Sequence, residues 1–347
     1  MRIGYSFWGF LGPGIVDTPD GGRFWRRGII DTLHEHGHEV ILLQQDRDHL
    51  EAGTALPYWW EAGFPPLDVL FCEWRWPLPG RNTTPCGSPG HTCDLHRQAD
   101  LVGHYTEDLA TPTVLWDTDR QMSSDDPLRE MSHVIVCDTA LWPSPPAPTL
   151  ATMVPDAMVD AADPAQLAAT PRPLDLAYVG NQYDRDEAFD RFFAPAALRL
   201  RHRVAGKWTR TERWPHVTFT GRAAFTEVTP IYRGALATVL LMPDRYAATA
   251  NISQRFPEAV LAGCLPLTPT TLLNAGQITP TKLHVANGDE VVERIAWLRE
   301  IQGGPEHADL IAACLDLLGL FRHSRQVGEL ERLMATLTRP TATRGNP

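Results

Sequence analysis

The sequence predicts an α/β protein made of two Rossmann-like domains that face each other across a cleft. Its 347 residues exceed one ordinary core and suit two domains of roughly 150 to 170 residues each. Short apolar runs alternate with helical patterns in both halves of the chain. Four prolines between Trp142 and Pro148 mark a boundary between the halves.

The first half opens with a strand, a glycine loop, a helix and a second strand. Residues 2–5 are a short apolar strand, and a glycine turn at 18–22 leads into a helical pattern over 23–36. Gly37 ends that helix before a strand over 39–44. Such a unit places its loop at the carboxyl edge of the sheet, where open α/β sheets bind ligands. The loop lacks G-x-G-x-x-G, so it does not support a nicotinamide site.

The remaining segments complete two mostly parallel sheets. Strands are predicted over 67–73, 112–116, 132–137, 175–180, 217–220, 238–242 and 264–268, and a helix over 94–107. Residues 306–337 read as amphipathic helices that either end the second domain or cross back to the first. The predicted division is a first domain over 1–157, a linker over 158–173, a second domain over 174–337 and a flexible tail over 338–347.

Composition and charge limit the function classes. No apolar run reaches the roughly 18 residues of a membrane span, and the chain starts with a strand instead of a signal peptide, so we expect a cytoplasmic protein. Six scattered cysteines indicate reduced thiols and no disulfide framework. Residues 1–150 carry 10 Arg and 21 acidic residues, which accounts for the whole net charge of −11. This acidic half disfavours a broad nucleic-acid-binding face there.

The second half contains one compact basic strip, interleaved with Trp208 and Trp214. The strip consists of Arg199, Arg201, Arg203, Lys207, Arg210 and Arg213. Such a strip could hold a diphosphate or a nucleic-acid backbone. The alternative is an ordinary solvated strand edge and loop.

Residues 251–269, NISQRFPEAVLAGCLPLTP, suit a nucleotide-binding helix. Glu258 follows Pro257 in the first turn, where the helix dipole favours a carboxylate and free backbone N–H groups can hold a phosphate. Gly263 lets the helix end close to the next strand. The alternative is a plain helix cap followed by a packed strand.

Together with the glycine loop and the GHEV sequence at 37–40, this segment resembles the donor-binding region of GT-B glycosyltransferases. The resemblance implies the GT-B fold and a nucleotide-sugar donor of the UDP or GDP type. It implies neither a tightly bound cofactor nor a required metal. It also implies that Glu258 holds the ribose of the donor and that Gly21 and Gly22 approach its diphosphate.

The strand and turn over 175–189 and a Ser-x-Arg-x-x-Glu pattern resemble those of spore-maturation-type glycosyltransferase-like proteins. The further donor-binding candidates are Gly180, Asn181, Lys207, Ser253 and Arg255. In this family Arg255 would neutralise the leaving diphosphate, whereas its alternative is a surface helix charge. Families with a Glu-x7-Glu motif have their first Glu where this chain has Ala250, so the sugar cannot be inferred by analogy. Asn251 is the candidate to contact that sugar instead.

The general base is sought among the acids of the first domain. Asp117 and Asp119 follow a predicted strand directly, so their carboxylates lie at the carboxyl edge of the sheet and could accept a hydroxyl proton. The segment resembles phage DNA α-glucosyltransferases, which favours Asp119 as the base and leaves Asp20 of the glycine loop second. Alternatively, either acid after the strand caps the next helix, or the leaving phosphate takes the proton.

The acceptor pocket is predicted from two aromatic loops. One follows the strand over 67–73 and carries Glu73, Trp74, Arg75 and Trp76, and the opening loop adds Trp8. Aromatic faces beside polar groups suit a sugar ring or a planar base, and Asp117 would complete the pocket. Ordinary packing of the indoles is the alternative. These loops, together with the WDTDR segment, also resemble glycosyltransferases encoded by phages of high-GC bacteria.

A cluster of Cys86, His91, Cys93 and His96 could bind zinc, but the spacing matches no common zinc knuckle, and we expect a chance cluster.

The predicted function is transfer of a sugar to a hydroxyl acceptor. A hydroxymethylated base of phage DNA is one acceptor, and a small metabolite or a cell-surface glycan is another. A nucleotide-sugar epimerase or hydrolase and a non-catalytic binding module remain as other classes. The sequence does not indicate an oligomeric state.

Overall fold

The computed structural model describes residues 1–12, 21–79, 82–89 and 94–338, which form two parallel sheets flanked by helices. The first sheet contains β1 (Arg2–Ser6), β2 (Glu39–Leu42), β3 (Trp59–Trp60), β4 (Val69–Glu73), β5 (Thr113–Asp117) and β6 (Val134–Asp138). The second contains β7 (Leu174–Val179), β8 (His202–Ala205), β9 (Ala235–Val239), β10 (Leu265–Pro269) and β11 (His284–Val285). The predicted α/β class is confirmed.

Each sheet has a known doubly wound strand order. The first runs β3-β2-β1-β4-β5-β6, the order of the dinucleotide-binding Rossmann fold. The second runs β11-β10-β9-β7-β8, which is the flavodoxin-like order. The order reverses between β1 and β4 in one sheet and between β7 and β9 in the other. Ligands of such sheets bind outside the carboxyl ends of the strands at these reversal points.

The helices cover both sheets. Those of the first half are α1 (Arg26–Glu35), α2 (Arg47–Ala52) and α3 (Asp94–Leu101), with α4 (Asp156–Asp160) and α5 (Pro164–Ala169) after the last strand. Those of the second half are α6 (Asp186–Ala188), α7 (Ala194–Ala197), α8 (Val228–Arg233), α9 (Asp244–Ala247), α10 (Arg255–Leu261), α11 (Gly288–Ile301), α12 (Pro305–Leu317) and α13 (His323–Thr338). No helix in the described parts of the chain is long and apolar enough to cross a membrane.

The last helix returns to the first domain. Val327, Leu330 and Met334 of α13 are buried in the same apolar core as Ile3 of β1 and Ile29 of α1. The amphipathic pattern over 306–337 therefore ends in a helix that crosses back, which was one of its two predicted outcomes.

Gly28 permits the close approach of α13 to α1. A Cβ atom at this position would lie 1.8 Å from the His323 ring. The His323 ring is buried, and its Nε2 has no hydrogen-bond partner among the described residues.

One predicted strand is wrong. Residues 217–220 form only a single bridge, from Phe219 to Val204, and the strand at this edge of the second sheet is β8. The polar residues His202 and Arg203 hide β8 in the sequence, because an edge strand exposes one side and does not need a continuous apolar run.

Candidate functional site

A cavity of about 490 Å³ lies between the two sheets, at the carboxyl ends of β4, β5 and β7. Its walls come from both domains, and the reversal points of both strand orders face it. This is the position that the strand orders favour for a ligand.

The second-domain wall begins at the end of β7. Gly180 and Asn181, two of the predicted donor-binding residues, line the cavity. Asn181 Oδ1 accepts a hydrogen bond from the backbone N–H of Lys207 at 2.8 Å. Gly206 permits this approach, since it has a φ of +136° and a Cβ there would lie 2.0 Å from the Gly180 carbonyl oxygen. The Lys207 side chain is exposed and does not line the cavity.

The start of α10 continues this wall. Ser253 and Arg255 line the cavity, and Arg255 Nη1 pairs with Glu258 Oε2. Glu258 is 3% exposed and does not line the cavity itself. Burial raises the pKa of the Glu258 carboxyl, and the Arg255 charge opposes that rise. Glu258 Oε1 is buried and has no hydrogen-bond partner in the described chain, so one carboxylate oxygen is left unsatisfied.

Gln254 is a site residue that the sequence reasoning missed. It lines the cavity, is 5% exposed, and has no hydrogen-bond partner within the described residues for either side-chain amide atom. A buried amide normally has hydrogen-bond partners, so the unpartnered amide of Gln254 favours the binding of a polar ligand. Its position between Ser253 and Arg255, in the predicted donor pattern, was the signal that could have found it.

The first-domain wall contains the predicted aromatic loop. Trp8, Glu73, Trp74, Arg75 and Trp76 all line the cavity. The sequence predicts that Glu73 contacts the acceptor. In the structure its carboxylate instead accepts hydrogen bonds from Arg26 and Tyr5. Arg26 Nη2 donates to Oε2 at 2.7 Å, and the Tyr5 hydroxyl donates to Oε1 at 2.6 Å.

Asp119 stands where the two walls meet. Its Oδ2 accepts a hydrogen bond from Trp76 Nε1 at 3.2 Å, and its Oδ1 accepts one from the Tyr246 hydroxyl at 2.6 Å. Tyr246 belongs to α9 of the second domain and was also missed by the sequence reasoning. Burial raises the pKa of the Tyr246 hydroxyl well above its ordinary value, so Tyr246 remains a proton donor to the carboxylate.

Asp117 and Asp119 have different surroundings although they are two residues apart. Both Asp117 oxygens accept backbone N–H groups, from Gln121 and Met122, each at 2.9 Å. Burial raises the pKa of the Asp117 carboxyl, and these donors oppose the rise. Asp117 is absent from the cavity lining, and its carboxylate holds the turn that follows β5. It does not cap the next helical segment, Pro127–Glu130, because Asp126 occupies that position.

Three other predicted features are the second candidate base, the zinc cluster and the glycine loop. Asp20, the second candidate for the base, lies outside the described residues, as do His91 and Cys93 of the proposed zinc cluster. Gly21 and Gly22 line the cavity. Among the described residues no group of three or more metal-ligating side chains is present.

The basic strip is largely neutralised by carboxylates. The pairs are Arg199 with Asp289, Arg201 with Asp175, Arg210 with Asp186, and Arg213 with Asp190. Trp208 and Trp214 pack on Phe189 inside the second domain. The strip therefore resembles the solvated edge that was its alternative interpretation.

No protein-family model matches the sequence, and no curated protein matches it. Solved structures do resemble the fold over nearly its full length. T4 phage β-glucosyltransferase in complex with UDP and Mn²⁺ is 12% identical with a TM-score of 0.63, covering 96% of this chain and 99% of that one. The chain has the GT-B fold.

Two further solved structures are similar to this chain. AviGT4, a glycosyltransferase involved in avilamycin A biosynthesis, has a TM-score of 0.59 at 14% identity and covers 97% of this chain and 98% of its own. HepE of Anabaena in complex with UDP-glucose has a TM-score of 0.55 at 10% identity and covers 97% and 100%. In this GT-B chain the two walls of the cavity correspond to the facing domains that the sequence predicts.

Proposed function

We propose that the protein is a glycosyltransferase that moves a sugar from a nucleotide-sugar donor of the UDP type to a hydroxyl acceptor. The observation that carries this proposal is Asp119, a carboxylate held at the cavity by one donor from each domain. It lies between an aromatic wall, which suits an acceptor, and the polar start of α10, which suits a donor. The complexes of similar folds with UDP and UDP-glucose support the choice of donor.

The donor would lie against the second domain. Gly21 and Gln254 are direct neighbours, since a Cβ on Gly21 would lie 3.3 Å from the Gln254 Cβ, so the glycine loop and the start of α10 form one continuous surface for the donor. We expect the ribose hydroxyls to bind Glu258 Oε1. This requires Arg255 to turn from Glu258 toward the diphosphate, where its charge stabilises the leaving group.

The chemical step is a displacement at the anomeric carbon. The acceptor oxygen forms a bond to that carbon while the bond to the diphosphate breaks, and the nucleoside diphosphate leaves with the electron pair. Asp119 takes the acceptor proton. Tyr246 and Trp76 hold the carboxylate in position for this transfer.

For the acceptor, we infer that a hydroxymethylated DNA base is one candidate. The likeness to the T4 enzyme, described as a DNA-modifying β-glucosyltransferase, supports it, and aromatic loops can hold a base flipped from the duplex. The net charge of −11 and the neutralised basic strip weigh against a large DNA-binding face. A small hydroxylated metabolite or a cell-surface glycan is the second candidate.

To test the proposed activity, the protein is incubated with a panel of UDP- and GDP-sugars, and nucleotide release is measured with and without acceptors. We expect release that depends on an acceptor, and Asp119→Asn should lower turnover by about 10² while UDP affinity is unchanged. Asp108→Asn, an exposed carboxylate of the same domain, is the control. Release without any acceptor would indicate a hydrolase. UDP binding without turnover of any donor would indicate a binding module.

The DNA candidate has its own test. Labelled sugar should appear on 5-hydroxymethylpyrimidine DNA, and the rate should fall steeply as salt rises. Changing Arg210 and Arg213 to Ala should flatten that salt dependence if the basic strip contacts phosphates. Absence of transfer to modified DNA with every donor would move the acceptor to the small-molecule class.

A further inference from the structure

Arg75 lines the cavity as a buried cation with unused hydrogen-bond donors. It is 7% exposed and lines the first-domain wall. Its Nη2 donates to Ser6 Oγ at 3.1 Å, whereas Nε and Nη1 have no acceptor among the described residues. These two nitrogens carry three N–H groups.

The nearest acid in the sequence does not neutralise Arg75. Glu73 is bound by Arg26 through Nη2 at 2.7 Å and Nε at 2.9 Å. Glu73 therefore neutralises Arg26 and not Arg75. The two arginines and the glutamate together carry one net positive charge. Burial of a guanidinium without a partner costs several kcal/mol unless a counter-charge is supplied.

The backbone of Arg75 is fixed from the interior. Gln98, which is 6% exposed, accepts from the Arg75 N–H at 2.7 Å and donates to the Arg75 carbonyl at 3.0 Å. A side-chain amide that holds both backbone groups of one residue anchors the base of its side chain. Arg75 therefore extends from a rigid support on the cavity wall, which reduces the entropy that a ligand contact costs.

We propose that Arg75 binds an anionic group of the acceptor, a phosphate or a carboxylate. This rests on the proposed function and defines the chemical class of its second substrate. The acceptor is preferred over the donor because Arg75 follows β4 in the first domain, while the donor side has its own cation, Arg255. The next residue, Trp76, donates to Asp119, so an anion held by Arg75 places a neighbouring hydroxyl near the proposed base.

Two sources share this chemistry. One is the phosphodiester of a nucleic acid that carries a hydroxymethylated base, and the other is a small hydroxylated molecule with its own phosphate. The test compares three acceptors with UDP-glucose: a 5-hydroxymethyl nucleoside, its 5′-monophosphate and an oligonucleotide that contains it. Hexoses and hexose phosphates form the small-molecule pairs. In whichever series transfer occurs, the charged acceptor should have a KM at least about tenfold lower than its neutral partner, which corresponds to one charge-assisted contact.

A binding test needs no active acceptor. Inorganic phosphate should raise the melting temperature of wild-type protein that is saturated with UDP, at constant ionic strength. Arg75→Gln should abolish that rise, whereas Arg27→Gln, which removes an exposed arginine of the same domain, should retain it. Equal stabilisation of wild type and Arg75→Gln, or no stabilisation of wild type, would overturn the proposal.

The affinity for UDP separates the acceptor from the donor. Arg75→Gln should leave UDP affinity within about twofold of wild type, and a fall of about tenfold would assign Arg75 to the donor diphosphate instead. If wild type binds no UDP, the proposed function fails, and the phosphate comparison in the absence of UDP still tests the anion site. Without any ligand, Arg75→Met should melt higher than wild type, because it removes an unpaired buried charge. A lower melting temperature would mean that Arg75 is structural and would contradict the proposal.

Discussion

Two buried arginine–glutamate pairs flank the cleft, and they differ in what they leave unsatisfied. In the first domain, Glu73 accepts from Arg26 and Tyr5, and both of its oxygens are used. In the second domain, Glu258 pairs with Arg255 through Oε2, and its Oε1 has no partner within the described chain. The first pair is closed within the protein, and the second leaves one buried acceptor unsatisfied.

This difference separates structural from ligand-binding use of the same residue types. Removing one partner of a closed buried pair leaves an uncompensated charge, so such a pair controls stability. In a pair with an unpartnered oxygen, burial has removed water from that oxygen without supplying another hydrogen bond. A ligand hydroxyl supplies the missing hydrogen bond. The closed pair should therefore affect folding, and the open pair should affect donor binding.

The largest expected effect concerns the closed pair. Glu73→Ala should lower the free energy of unfolding by about 3 kcal/mol, because Arg26 and the Tyr5 hydroxyl lose their acceptor in a buried place. Urea unfolding followed by circular dichroism would measure it. The control is Glu39→Ala, which breaks the exposed pair with Arg2 and should change stability little. A stability loss no larger than that control would mean that the Glu73 pair is not structural.

The open pair gives the second effect. Glu258→Ala should weaken UDP binding by about 2 kcal/mol through loss of a charge-assisted contact with the ribose. Its stability cost should be smaller than that of Glu73→Ala, since Arg255 lies on the cavity wall and can be hydrated there. Calorimetric titration with UDP measures the affinity, with the exposed Glu293→Ala as the control. Unchanged UDP affinity would contradict the assignment of the Glu258 pair to donor binding.

A buried histidine gives the third effect. Burial lowers the pKa of His323 to about 4 from an ordinary 6.5, so the folded state disfavours its protonation. The stability that the neutral ring contributes is complete above pH 6.5 and is lost as the pH falls toward 4. Wild type should lose about 1–2 kcal/mol more than His323→Gln over that range in urea unfolding. The exposed His34→Gln should behave as wild type, and a parallel loss in His323→Gln would contradict the assignment.

Much of the fold is readable from local patterns. The strands β1, β4, β5 and β7 are short apolar runs bounded by turn residues, and they were predicted within two residues of their observed ends. The edge strand β8 was missed because edge positions tolerate His202 and Arg203. Helix α13 has clear periodicity, but no local pattern says which sheet it covers, because that choice depends on the space beside Gly28.

The site was readable only where it follows a strand directly. Gly180, Asp119 and the aromatic loop after β4 could be placed because parallel strands bring their carboxyl ends to one edge. Tyr246 reaches Asp119 from the other domain, 127 residues away in the chain, and no spacing rule predicts such a contact. The use of Glu73 by Arg26 was hidden for the same reason, since pairing is a tertiary property.

The smallest expected effect concerns the hydrogen bond that joins the two sides of the cleft. Tyr246→Phe removes the donor to Asp119 Oδ1 but keeps the ring that packs in the second domain. Loss of one hydrogen bond to a carboxylate costs about 1 kcal/mol, so turnover should fall about fivefold while UDP affinity stays unchanged.

The division of the effect between kcat and KM distinguishes a positioning role of Tyr246 from a structural one. A donor that orients the Asp119 carboxylate acts on proton transfer, so its loss should lower kcat in Tyr246→Phe and leave the KM of both substrates unchanged. Tyr58→Phe is a matched control, because it removes a tyrosine–aspartate hydrogen bond, to Asp31, away from the cavity. If the two variants have the same kcat and KM, the bond across the cleft holds the domains together without acting on the base, and the proton acceptor must be sought elsewhere.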